Sequence, residues 1–209
     1  MAGKEVLSPE VGFEIPKVNV ELYNRTREAV EQAGYNFIVP IRSVSIEDLL
    51  TEDRQREQDG KPKRLVSLSD SKTMRAIIPP EMEVAINPDR FKIVGSNGLY
   101  TDSQKKRIKQ EQAALRRQLP SDIQQFVNME MVDPSSLSQL EDAYVDITGK
   151  LLLPNYFART DVQTVPGVVA CVGRYGPAAR RIVFSWLRNG GDGGMFGVSV
   201  VVLPQKLAG

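Results

Sequence analysis

The fold of this chain is decided by residues 180–204, RRIVFSWLRNGGDGGMFGVSVVVLP. Two runs rich in valine and aromatic residues, a composition typical of strands, flank the segment 189–194, which has four glycines in six positions. Because glycine adopts positive φ without steric cost, the pattern predicts a β-hairpin with 189–194 as its loop. The alternative is a loop that a partner approaches closely, with Arg188 and Asp192 as its charged groups. A phosphate-binding loop would need a lysine and a helix after Gly194, and neither follows.

The other segments after Gly149 have the same composition. Residues 150–154, 161–173 and 195–204 are rich in valine and leucine, contain glycine or proline, and are too short for independent helices. The helical patterns lie earlier in the chain. We therefore predict an α+β fold, with helices in roughly the first 150 residues packed on a largely antiparallel C-terminal sheet of about three to five strands.

The predicted helices begin at residues of types that cap helix N-termini. These residues are Asn19, Ser45, Thr101, Ser121 and Asp133. Ser45 with Asp48 and Thr101 with Gln104 have the spacing of a capping box, in which two side chains satisfy free N–H groups of the first turn.

Short strands and one loop are predicted between these helices. Strands are expected at 35–43, where Pro40 favours an edge position, at 82–87 and at 91–95. The composition becomes strongly polar after the start of the second helix, so residues 52–64 are predicted to form a loop.

The same loop is the predicted domain boundary. Residues 1–60 would form an N-terminal helical arm or subdomain, and residues 61–209 an α+β main body. The alternative is one single domain over residues 1–209, because a chain of 209 residues is long enough to bury a sizeable core.

Composition narrows the classes of function. The chain has no histidine, which removes the commonest general acid–base and the commonest metal ligand near neutral pH. Its single cysteine, Cys171, lies in an apolar segment and is predicted to be a buried, inert thiol. The sequence has no apolar run long enough to span a membrane and no secretion signal at its start. We therefore expect a soluble, cytoplasmic protein without membrane contact, metal or cofactor.

Charge is distributed in blocks of alternating sign. Residues 1–60 carry 7 basic and 12 acidic side chains, 61–119 carry 13 and 6, 120–163 carry 2 and 7, and 164–209 carry 5 and 1. Such blocks predict that acidic and basic faces meet within the fold or between copies of the chain. A single exposed basic block would instead favour an anionic partner.

The helix predicted at 101–119 carries the first candidate site, a polyanion-binding stripe. At about 100° per residue its basic side chains gather away from its apolar face. They are Lys105, Lys106, Lys109, Arg116 and Arg117. A helix can present such a row to nucleic-acid phosphates, but Glu111 interrupts it and no aromatic side chain is available to stack on bases. The alternative is a helix face that is solvated or paired with acidic neighbours.

The turn before this helix is the second candidate site, for a small anion. Gly95, Ser96, Asn97 and Gly98 lie between a predicted strand and a helix N-terminus, where free N–H groups favour an anion. Arg90 and Lys92 are the candidate binding cations. The alternative is that these residues serve the conformation of the turn alone.

Two further patterns have both a structural and a functional interpretation. Asp142 and Asp146 are four residues apart and share a helical face, from which the adjacent Glu141 points away. They could bind a cation, but solubility of the helix is the simpler interpretation. Phe184 and Trp186 share one face of a strand, where they pack in the core or offer a partner-binding surface.

The leading functional hypothesis is a non-catalytic binding or structural protein, with a protein partner or with itself as a homo-oligomer. Binding of nucleic acid or another polyanion through the basic helix is one alternative. The other is a histidine-free enzyme that acts on an anionic small molecule near residues 95–98.

Overall fold

The helices lie in the first part of the chain, as the sequence predicts. A computed structural model describes residues 13–68, 71–174, 180–187 and 195–207, and every helix in these ranges ends by Thr148. The helices are α1 (Val20–Gln32), α2 (Ile46–Gln58), α3 (Lys72–Ala76), α4 (Thr101–Arg116) and α5 (Pro134–Thr148). None of these described helices combines the length and the apolar composition that a membrane crossing requires.

The strands form two larger sheets and one small pair. They are β1 (Lys17–Val18), β2 (Phe37–Ile41), β3 (Leu65–Ser67), β4 (Met82–Ile86), β5 (Asn128–Glu130), β6 (Phe157–Val165), β7 (Val168–Gly173), β8 (Arg181–Leu187), β9 (Met195–Phe196), β10 (Val200–Val202) and β11 (Gln205–Lys206). One sheet is antiparallel, in the order β2-β4-β10-β5, and the other has the order β3-β8-β7-β6-β9. The mixed α+β class is therefore confirmed.

The C-terminal strands do not form one sheet. Strands β6, β7 and β8 form an antiparallel meander that β3 and β9 extend with parallel pairings. Strand β10 instead joins the other sheet, between β4 and β5. The expectation of a single C-terminal sheet is wrong at this point. A valine-rich composition indicates that a strand is buried, but it does not determine which strands it pairs with.

The predicted hairpin at the glycine segment is also wrong. Strand β8 pairs with β3 and β7, whereas β9 pairs with β6, so the strands on either side of the segment are not neighbours. The segment 189–194 itself lies outside the described residues, with Arg188. A tight turn instead joins β6 to β7, where Val165 pairs with Val168 and Gly167 has a φ of 78°.

Local signals predicted the first two helices well. Asn19 accepts a hydrogen bond from the Leu22 N–H, and both bonds of the Ser45–Asp48 capping box are present. The predicted loop at 52–64 is wrong over its first half, because α2 continues to Gln58. Polar composition alone cannot separate a loop from a helix that is exposed on most of its surface.

Three other local predictions are corrected. Helix α4 has Tyr100 at its N-cap, without a capping box, because Gln104 donates instead to the carbonyls of Ser96 and Met195. Residues 124–126 form a short 3-10 helix and β5 follows, where a helix was expected. Lys92 makes only an isolated bridge to Val198, where a strand was expected.

The first 60 residues contribute to the main core. Strand β2 pairs along its whole length with β4 and lies at the sheet edge, the position that Pro40 predicts. Val39, Ile41 and Ile46 are buried in the same cluster as Val172 and Val183 of the C-terminal strands. The domain division at residue 60 stays a prediction, and these contacts favour the single-domain alternative.

A buried ion pair joins α5 to the end of β7. Glu141 has no exposed surface, and one of its carboxylate oxygens lies 2.6 Å from the Arg174 guanidinium. The other oxygen accepts hydrogen bonds from the N–H groups of Leu152 and Leu153, each at 3.0 Å. Burial raises the pKa of Glu141, and the positive charges of Arg174 and Arg181 oppose that rise. Glu141 is thus a core residue, not a solubilising one.

We predict that the Glu141→Gln variant loses about 3–5 kcal/mol of the free energy of unfolding, because it removes a buried carboxylate from its arginine partner. Denaturant unfolding followed by the fluorescence of Trp186, the single tryptophan, measures this loss. The exposed Glu28 on α1 provides the control, since Glu28→Gln should change stability by less than about 0.5 kcal/mol. Equal stability of the two variants would contradict the structural role of Glu141.

Candidate functional site

The glycine turn proposed as an anion site is hydrogen-bonded to the core. Gly95 and Gly98 have φ values of 72° and 67°, which glycine tolerates best. Ser96 is fully buried, and its hydroxyl donates to the Ile93 carbonyl at 2.6 Å and accepts from the Gly197 N–H at 3.0 Å. The hydroxyl is therefore used within the protein, while Asn97 is exposed.

The two cations proposed for this turn have their own partners. Arg90 lies 3.5 Å from a carboxylate oxygen of Glu111. The Lys92 ammonium lies 4.4 Å from the ring centroid of Phe196 and 5.2 Å from that of Tyr156, within the range of cation–π contacts.

Two lysines of the proposed polyanion stripe pair with acidic groups. Lys105 forms an ion pair with Asp161 of β6. Lys109 donates to the carboxylate of Glu130 at 2.9 Å and to a backbone carbonyl of β5 at 3.1 Å. These contacts attach α4 to the neighbouring strands, as expected if acidic and basic blocks meet within the fold.

The remaining residues of the stripe divide between the two sides of the helix. Arg116 donates to the Val127 carbonyl and to the Asn128 side chain, both at 2.9 Å. Lys106 and Arg117 lie on the exposed side, where the side-chain hydrogen bond of Arg117 goes to its own helix. The structure therefore does not gather the five cations on one free surface.

A cleft between α2 and α5 gathers more charged side chains than either predicted site. We call it the arginine cleft, and its volume is about 450 Å³. Its basic residues are Arg42, Arg56, Arg64 and Arg181, and its acidic residues are Glu52, Asp53, Asp142 and Asp146. Apolar side chains also line it, from Val39, Leu49, Leu65, Ala143 and Ile147. Four positive and four negative charges make the cleft neutral as a whole.

Three of the four arginines form paired hydrogen bonds with a carboxylate. Arg42 contacts both oxygens of Glu52, at 2.8 and 2.9 Å, and each side chain of this pair is about half exposed. Arg181 contacts both oxygens of Asp142 at the same distances, and its side chain is only 1% exposed. Such two-point contacts fix the guanidinium plane and use its terminal nitrogens.

Arg64 forms the third pair. It contacts both oxygens of Asp146 and lies 3.8 Å from Asp142, which confirms that these two carboxylates share a helical face. The hydrogen bond from Arg64 lowers the pKa of Asp146. The two carboxylates thus bind arginine within the protein, so the interpretation that they only solubilise the helix is wrong.

Asp53 and Arg56 do not form a paired hydrogen bond of this kind. One oxygen of Asp53 accepts from the N–H groups of Arg64 and Leu65, at 2.8 and 2.6 Å, and so anchors the segment after α2. Its other oxygen lies 3.8 Å from Nε of Arg56, too far for a hydrogen bond. Nε of Arg56 is buried, and within the described ranges the Arg56 guanidinium forms no hydrogen bond.

Little in the sequence pointed to this cleft. Its residues come from β2, α2, β3, α5 and β8, and their separation along the chain hides the cluster. The spacing of Asp142 and Asp146 is the one signal that pointed toward it. Among the described residues, no group of three or more acidic or cysteine side chains has an arrangement that could hold a metal ion.

Cys171 and the aromatic pair of Phe184 and Trp186 contribute to packing within the protein. Cys171 is fully buried, and burial raises the pKa of its thiol to about 12, which agrees with the predicted inert thiol. Phe184 packs edge-on against Phe157 with ring centroids 4.9 Å apart. Trp186 contacts Phe184 but is 38% exposed, so the aromatic face is only partly covered.

No known protein family, curated protein or solved structure shows significant similarity to this chain. The arguments about function therefore rest on the side chains themselves.

We predict that Ser96→Ala lowers the free energy of unfolding by about 1–3 kcal/mol, because it leaves the buried Gly197 N–H without an acceptor. Asn97→Ala, at the exposed neighbouring position, should change it by less than about 0.5 kcal/mol. Denaturant titrations of both variants test this difference. If Ser96→Ala unfolds like the wild type, the turn does not depend on the serine hydroxyl.

Proposed function

We propose that this chain is a non-catalytic binding protein that takes a small charged ligand into the arginine cleft. The proposal rests on one observation, the unmatched guanidinium of Arg56. Three neighbouring arginines each contact both oxygens of a carboxylate, whereas Arg56 has only a distant ion pair with Asp53. An anionic group on a ligand would supply the missing acceptor, and a guanidinium matches a carboxylate or phosphate in a two-point contact.

The energetics of Arg56 support a role outside folding. Nε is buried without a hydrogen bond in both Arg56 and Arg181, so this atom does not distinguish the two side chains. The terminal nitrogens of Arg181 bond both oxygens of Asp142, whereas Arg56 has only the distant ion pair with Asp53, so Arg56 contributes little to stability. Charged side chains that contribute little to stability are commonly retained at binding sites for function.

Access to the cleft does not require the core to open. The Arg42–Glu52 pair lies at the surface, and exposed pairs of this kind contribute only about 0–1 kcal/mol. Ile147 lines the cleft and is 69% exposed, so apolar surface is available near its opening. A ligand with one charged end and an apolar body fits such a lining.

The two alternative functions have weaker support. Nucleic-acid binding through α4 would have to compete with the contacts of Lys105, Lys109 and Arg116 inside the protein. An enzyme centred on residues 95–98 would depend on Arg90 or Lys92, which contact Glu111 and two aromatic rings, and the Ser96 hydroxyl there is buried and hydrogen-bonded. The hypothesis of self-association also has less support, because charge blocks of opposite sign pair within one chain.

The proposal keeps the cytoplasmic location that we expect from composition. We expect this binding to need no cofactor and no catalytic residue. The partner that we propose is a small molecule, bound by the side chains of the arginine cleft.

We predict that at least one of three probes binds the wild-type protein: inorganic phosphate, 4-methylpentanoate or L-leucine. Arg56→Gln should weaken that binding at least about tenfold, since a hydrogen bond to a charged group contributes about 1.5–3 kcal/mol. Isothermal titration calorimetry measures the affinities.

Arg54→Gln is the matched control for this experiment. Arg54 lies on the same helix, is exposed, and contacts Thr51 at 2.8 Å outside the cleft lining. Binding that is unchanged in Arg56→Gln, or no binding of any probe up to roughly 10 mM, would contradict the proposal.

A further inference from the structure

The second unmatched group of the cleft is a carboxylate oxygen of Asp53. Asp53 is 4% exposed, and its first oxygen is committed to the N–H groups of Arg64 and Leu65. The second oxygen has no hydrogen bond among the described residues, and its nearest cation is Nε of Arg56 at 3.8 Å. The cleft thus leaves one donor group and one acceptor atom available side by side.

The charge balance of the cleft restricts the ligand. Three arginine–carboxylate pairs neutralise one another, and Arg56 with Asp53 adds one further charge of each sign. A phosphate dianion would place two negative charges next to Asp53 with no additional cation to compensate them. A ligand that carries one charge of each sign leaves the cleft neutral, so it avoids this repulsion.

We infer that the ligand is a zwitterion of the α-amino-acid type, with its carboxylate on Arg56 and its ammonium group on the free oxygen of Asp53. This inference rests on the proposed function and names the ligand class of the same site. In an α-amino acid the two charged groups are joined through one carbon, which matches the close placement of Arg56 and Asp53. The apolar lining from Leu49, Ala143 and Ile147 suits an apolar side chain on that carbon.

The test compares L-leucine with 4-methylpentanoate, which has the same body and carboxylate but no amino group. The wild type should bind L-leucine at least about tenfold more tightly, because only L-leucine reaches Asp53. Asp53→Asn should remove this preference. Its amide oxygen still accepts the two backbone N–H groups, while its NH₂ group replaces the oxygen that would accept from the ammonium group.

Asp59→Asn is the matched control, because it removes the same charge at the exposed end of α2, outside the cleft lining. It should leave the affinity for L-leucine unchanged. The comparison of the two probes on the wild type needs no variant, so it decides the inference even if Asp53→Asn folds poorly.

The outcomes separate this inference from the proposed function. Arg56-dependent binding of phosphate or 4-methylpentanoate without a preference for L-leucine would overturn the zwitterion and leave the binding function standing. Equal affinity of L-leucine for the wild type and a folded Asp53→Asn would do the same. If none of the three probes binds, both proposals fail.

Discussion

The structure depends on the carboxylates of α5, which bind arginines from the five-stranded sheet and the segment that enters it. Glu141 pairs with Arg174 after β7, Asp142 with Arg181 at the start of β8, and Asp146 with Arg64 before β3. A buried charge without its partner is costly, so the pairs of Glu141 and Arg181 restrict where α5 can lie against the sheet, while the more exposed Arg64–Asp146 pair adds a further contact. The same arrangement forms one wall of the arginine cleft.

This constraint explains the alternating charge blocks. The acidic block of residues 120–163 contains α5, and its carboxylates meet arginines from the basic blocks before and after it. Charge complementarity is therefore satisfied largely inside the molecule. Among the four arginines of the cleft, the exception is Arg56, whose nearest carboxylate oxygen, on Asp53, lies beyond hydrogen-bonding distance. We regard this exception as the feature that separates a binding group from the structural pairs around it.

The sequence predicted local structure better than it predicted the arrangement of the chain. Capping residues such as Asn19 and Ser45 act within a few positions, and the structure confirms both helix starts. Strand partners and the cleft depend on contacts between residues far apart in the chain, such as Arg64 with Asp146, which are 82 positions apart. A single sequence contains no record of such pairs, and polar composition hid Asp53 in a segment that was expected to be a loop. The sequence also does not show which arginines have a carboxylate partner and which do not.

The central claim is that Arg181 serves the fold whereas Arg56 serves a ligand. The most direct test compares the free energies of unfolding of Arg181→Gln and Arg56→Gln in the absence of ligand. We expect Arg181→Gln to lose roughly 3 kcal/mol, because Asp142 is left beside the core without its partner. We expect Arg56→Gln to stay within about 0.5 kcal/mol of the wild type or to be more stable. A loss in Arg56→Gln as large as that in Arg181→Gln would contradict the account, since Arg56 would then be one more structural pair.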